Sequence, residues 1–160
     1  MAVEVPGEAP IHRDRIAQLY LGLIDDPYSG PIARARIDWI CDQVAGPRVL
    51  DIGCSEGILP VLLARRNLQV TGVDINGEAL DFARGLLSKE TEKVRKRVHL
   101  IEGDASQVRL KGSFDTVILG EVIEHLADPG LMLDRALSLL NANGKVLITT
   151  PWGHLPDPDH

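Results

Sequence analysis

Apolar residues first recur at helical spacing. Ile16, Leu19, Tyr20 and Leu23 share one face of a helix predicted across 11–24. The cluster Asp25-Asp26-Pro27-Tyr28-Ser29-Gly30-Pro31 then interrupts it as a turn. A second helix is predicted from Pro31, in its first turn, to Val44, where Gly46 and Pro47 stop it. Beyond Val44 the period changes. Short apolar runs at 48–52, 69–73, 97–101, 114–119 and 145–150 read as strands. Helical segments lie between them at 58–66, 76–88 and 128–140, with Asn76 and the pair Asp128-Pro129 as cap signals. Asn141-Ala142-Asn143-Gly144 reads as the turn before the last strand.

Strands that alternate with helices imply right-handed βαβ units and a parallel sheet. The predicted fold is α/β: a Rossmann-like three-layer sandwich with a mostly parallel sheet that ends after the fifth strand. Residues 1–46 are expected to form an N-terminal tail and helical cap. Residues 47–160 form the core, with truncation at the C-terminus as an open alternative.

The formal net charge is −6, which disfavours a non-specific nucleic-acid binder. The one basic stretch, Lys89 to Arg97, is interleaved with Glu90 and Glu92 and reads as a solvated loop. No apolar run approaches the roughly 20 residues that cross a bilayer. The N-terminus has no signal-peptide pattern. Cys41 and Cys54 are too few for a disulfide framework, so a cytoplasmic location is expected.

Ligands of open parallel sheets bind beyond the carboxyl ends of the strands. The first such end is Val49-Leu50-Asp51-Ile52-Gly53-Cys54-Ser55-Glu56-Gly57. Gly53 and Gly57 allow a sharp turn and close approach of a ligand. Asp51 is placed to accept from a cationic amine. A dinucleotide site wants a glycine where Ser55 stands, and a carboxylate at Glu56 would repel a diphosphate. The turn therefore favours a cationic, phosphate-free nucleoside over NAD or ATP. Asp74 ends the second strand about 20 residues after that turn, the spacing of an acid that takes both ribose hydroxyls. Ile75 would then flank the adenine, and Asp104, after the third strand, would accept from its amino group.

These pieces together resemble the class I S-adenosylmethionine-dependent methyltransferases. The likeness runs from Val49 to Pro151 and includes Val73-Asp74, Gly103-Asp104-Ala105, Phe114-Asp115 and Asn143-Gly144-Lys145-Val146-Leu147-Ile148. It implies that the Gly53–Gly57 loop faces the methionine moiety, with Asp74 on the ribose, Asp104 and Ala105 at the adenine, and the Gly120 backbone beside the cofactor. The family usually has glycine at Ser55.

After the fourth strand comes Gly120-Glu121-Val122-Ile123-Glu124-His125. In a helix, Glu121, Glu124 and His125 would share one face, as a metal site or as a general base with an orienting acid. A simple helix cap stays open as a third role. The same residues with Ala127-Asp128-Pro129 resemble two subfamilies. In ubiquinone-biosynthesis type O-methyltransferases, the resemblance implies that Arg36 holds the methionine carboxylate. In small-RNA terminal-ribose 2′-O-methyltransferases, it implies magnesium held by Glu121, Glu124, His125 and His160, with His154 as the alternative last ligand. Tyr20 and Tyr28 are candidates to close the site, Trp152 to line the acceptor pocket, and Cys54 to pack.

The expected function is O-methylation of a small molecule with S-adenosylmethionine. A metal-dependent RNA 3′-end methyltransferase and a cofactor-binding module without catalysis remain as alternatives.

Overall fold

The computed structural model describes residues 15–151. The chain runs α1 (Ile16–Tyr20), α2 (Ser29–Gln43), β1 (Arg48–Ile52), α3 (Ile58–Arg65), β2 (Gln69–Asp74), α4 (Gly77–Ser88) and α5 (Glu92–Arg95). It continues with β3 (Val98–Glu102), β4 (Phe114–Gly120), a 3₁₀ turn (Ile123–His125), α6 (Pro129–Ser138) and β5 (Leu140–Thr149). The five strands form one parallel sheet in the order β3-β2-β1-β4-β5. Strand order reverses between β1 and β4, which opens a crevice at their carboxyl ends.

The strands bury both faces, as a parallel sheet between helices requires. On one face Val49, Val70, Ile118 and Leu147 pack with Ala17, Ile37, Ile40, Cys41, Ile58 and Leu63 from α1, α2 and α3. On the other, Leu50, Val73, Val117 and Leu119 meet Met132 and Ala136 of α6. The predicted helical cap thus shares the core of the sheet.

Local signals set most boundaries. The Asn76 side chain accepts from the Ala79 N–H and opens α4; that of Asp128 accepts from the Leu131 N–H and opens α6, with Pro129 in its first turn.

Three expectations change. The helix predicted over 11–24 is a single turn and a half within the described residues, ending at Tyr20. The basic stretch contains the short helix α5, capped by Thr91 and anchored by buried Val94. Two of its charges are answered locally: Lys96 pairs with Glu92 at 2.6 Å, and the Arg95 guanidinium donates to the Glu90 carbonyl. The expected turn at 141–144 is a bulge inside β5. Register jumps from Phe114↔Leu140 to Thr116↔Lys145, and the Asn141 amide donates to Asp115 Oδ1 at 2.6 Å.

Gly57 shows why the first turn is so constrained. It sits at φ 74°, and a Cβ there would lie 2.5 Å from the Cβ of Ala83 in α4. Its place in the fold is helix packing; it does not wall the crevice. Gly57→Ala is expected to cost about 2 kcal/mol or more, read as a lowered thermal midpoint. Adding Ala83→Gly should recover part of that loss; purely additive destabilisation would contradict the packing argument.

Candidate functional site

A cleft of about 530 Å³ opens at the carboxyl ends of β1 and β4, where the crevice rule places it. Its polar wall comes from Arg36, Asp51, Ser55, Asp74, Glu121 and His125, with Gly53 and Gly120 supplying bare backbone. Its apolar wall includes Ile37, Ile40, Leu59 and Val122. A Cβ on Gly53, at φ 74°, would meet Val122 at 2.5 Å, so the loop lies directly against the segment after β4.

Asp51 is the electrostatic centre. Its residue is 3% exposed, and among the described residues it receives no hydrogen bond from a protein donor. Burial pushes its carboxyl up to about 8; the nearby Asp74 charge adds to that and the Arg36 guanidinium opposes it. The adjacent Cys54 thiol is also pushed upward by burial, and it packs against Gly72 as a small core residue.

Asp74 fastens the glycine loop to β2. Its Oδ2 accepts from the Ser55 N–H at 2.7 Å and its Oδ1 from the Asn76 N–H at 2.8 Å. Each oxygen retains a lone pair for another donor. Ser55 stands at φ 46°, a left-handed conformation that explains the usual glycine there. Among the described residues its buried hydroxyl has no hydrogen-bond partner.

Glu56 corrects the sequence reading. Its carboxylate does not face a ligand at the loop. It accepts from the Ala17 N–H at 2.9 Å and the Gln18 N–H at 3.2 Å, and so caps α1 from a distant part of the chain. The Gln18 amide donates to its other oxygen. No pattern near Glu56 announces this contact, because the unsatisfied donors lie 38 and 39 residues away.

Glu121, Glu124 and His125 do not share a helical face. Glu121 follows β4 at φ 55°, and only Ile123–His125 forms a 3₁₀ turn. Among the described residues no group of three or more His, Cys, Asp or Glu side chains converges as a metal site. Glu121 instead pairs with Arg36, Oε1 to Nε at 3.3 Å. His125 lines the cleft; Glu124 is exposed and does not. His160, His154 and Trp152 lie outside the described residues.

The adenine-end candidates sit apart from the cleft wall. Ile75 is 76% exposed beside the end of β2. The exposed Asp104 carboxylate accepts from the N–H and hydroxyl of Ser106 and from Gln107, and the Ser106 bonds hold it below the usual carboxylate range. Ala105 is buried in the core under α6. Tyr20 donates to Asp38 at 2.9 Å and Tyr28 is exposed; neither lines the cleft. Sequence reasoning missed Ile37 and Ile40, although their spacing from Arg36 on α2 places all three toward one wall.

The neutral Asp51 carboxyl has a stability consequence. Unfolded, Asp51 ionises near 3.8; folded, near 8. Between those values the folded protein holds the extra proton, so this contribution is complete at low pH and is lost as pH rises toward 8. Asp51→Asn is expected to raise the thermal midpoint at pH 7.5 by about 4 °C or more, with little gain at pH 4. An equal gain at both pH values would contradict a neutral buried Asp51.

Comparison with known proteins fits this geometry. The family described as "Methyltransferase domain" matches residues 43–159. The ubiquinone biosynthesis O-methyltransferase of Aeromonas salmonicida is 36% identical over 118 residues, covering 72% of this chain and 49% of that protein. Its counterpart from Xanthomonas euvesicatoria pv. vesicatoria is 38% identical over 108 residues, covering 68% of this chain and 44% of that protein. The chain thus spans about half the length of these curated relatives. Two solved structures share the fold at low identity. The glycopeptide N-methyltransferase MtfA complexed with S-adenosyl-L-methionine has TM-score 0.66 at 21% identity, covering 88% of this chain and 61% of that chain. Magnesium protoporphyrin IX methyltransferase from Synechocystis PCC 6803, with bound S-adenosylmethionine, has TM-score 0.65 at 24% identity, covering 80% of this chain and 65% of that chain. No helix of the described residues is long and apolar enough to cross a membrane. On the match across residues 43–159, this chain belongs to the methyltransferase-domain family.

Proposed function

We propose that the chain forms the cofactor core of an S-adenosylmethionine-dependent methyltransferase acting on an oxygen of a small molecule in the cytoplasm. The observation that carries the reading is the placement of the buried Asp51 carboxyl and the Arg36 guanidinium in the wall of one cleft. An amino-acid end presents an ammonium and a carboxylate together, and this pair of groups complements both. The O-methyltransferase relatives support the acceptor type.

When bound, the cofactor supplies an electrophilic methyl on a sulfonium. Asp51 takes the ammonium and Arg36 the carboxylate. Asp74 offers its remaining lone pairs to the ribose hydroxyls. Ile75, Asp104 and Ala105, beyond the cleft wall, would serve the adenine end. Gly53 and Gly120 admit the ligand against bare backbone. The protein's main task is alignment, because in-line displacement needs donor and acceptor held together. His125 is the cleft residue suited to take a hydroxyl proton from the acceptor. Among the described residues Glu121 and Glu124 do not join it as a metal set.

Calorimetry tests the assignment. S-adenosylmethionine and its demethylated product should both bind, and NAD should not. Asp74→Ala should weaken both by about tenfold or more. Unchanged affinity would remove Asp74 from the ribose, and selective binding of NAD would overturn the cofactor class.

A further inference from the structure

Glu121 combines three features that nothing above uses together. It is a non-glycine residue held at φ 55°, a left-handed conformation that side chains seldom adopt. Its N–H donates to the Thr149 carbonyl at 2.9 Å, which locks that backbone to the end of β5. Its carboxylate then lies against Arg36, whose side chain is 17% exposed in the same cleft. The strained turn thus delivers an internal carboxylate to the one guanidinium that the described residues place in the cleft wall.

We propose that Glu121 is a stand-in for the carboxylate of the cofactor. It occupies Arg36 in the free protein and leaves when the amino-acid end of the ligand arrives. The proposal rests on the cofactor reading above. Glu121 draws on the Nε edge of Arg36, and a ligand carboxylate that takes that edge displaces it. Displacement frees the Glu121 side chain on the side of the cleft that holds Val122 and His125. Cofactor binding thereby changes the charge presented toward the acceptor. The exchange also tells an amino-acid-bearing nucleoside from a bare one, because only the former has a carboxylate to offer.

The test is calorimetry with two probes: S-adenosylhomocysteine, and 5′-methylthioadenosine, which lacks the amino-acid end. Glu121→Gln removes the competing charge and keeps the shape. It should tighten S-adenosylhomocysteine about threefold to tenfold, the range of a partly exposed ion pair, and leave 5′-methylthioadenosine unchanged. In an Arg36→Ala background the same substitution should give no gain. Glu121→Gly, which suits the left-handed backbone, provides a second variant without the carboxylate should Glu121→Gln fold poorly. Failure of the native chain to bind either probe would overturn the cofactor reading. Native binding with no tightening in either variant, or with weakening, would overturn the stand-in role alone and make Glu121 a structural brace for Arg36.

Discussion

A carboxylic acid buried at the end of a central strand governs the rest of this molecule. Asp51 cannot move away from the switch point, because β1 is flanked by β2 and β4 and its register with both is continuous. Removing an ionised carboxylate from water is expensive, so the free fold keeps the proton on Asp51 instead. Such a group is poorly satisfied until a cation is placed beside it. The architecture therefore builds an appetite for positive charge into the crevice.

The neighbouring residues direct that appetite. Asp74 ties the glycine loop to β2 through the Ser55 N–H and is itself held by the Asn76 N–H. Glu56 ties the same loop to α1, so that helix and the glycine loop form one mechanical unit. Arg36 reaches the cleft from α2 and meets Glu121 from the far side. Loop, helix and post-β4 segment thus converge on one small volume, each brought there by a specific polar contact.

Much of this was legible in the residues. Periodicity placed β1 at 48–52 without error, and Asn76 and Asp128 announced their helices through local capping chemistry. Asp51, Asp74 and Gly53 were singled out because parallel sheets present ligands to strand ends, and all three line the cleft. Long-range choices were not legible. Whether Glu56 faced a ligand or α1 depended on a helix far away in sequence. The helical face drawn through Glu121, Glu124 and His125 failed because Gly120 leads into a left-handed turn that periodicity does not encode. The bulge in β5 was hidden because Asn141 and Asn143 look like turn residues until Asp115 and Ser113 supply their partners at Asn141.

The most direct test is the ionisation of Asp51 itself, followed by carbon NMR on protein with labelled aspartate side chains and assigned through Asp51→Asn. In the free protein its carboxyl should titrate near 8, and with S-adenosylhomocysteine bound it should be ionised throughout the neutral range. A free-state Asp51 that titrates with the ordinary surface carboxylates, unchanged by the ligand, would contradict the account.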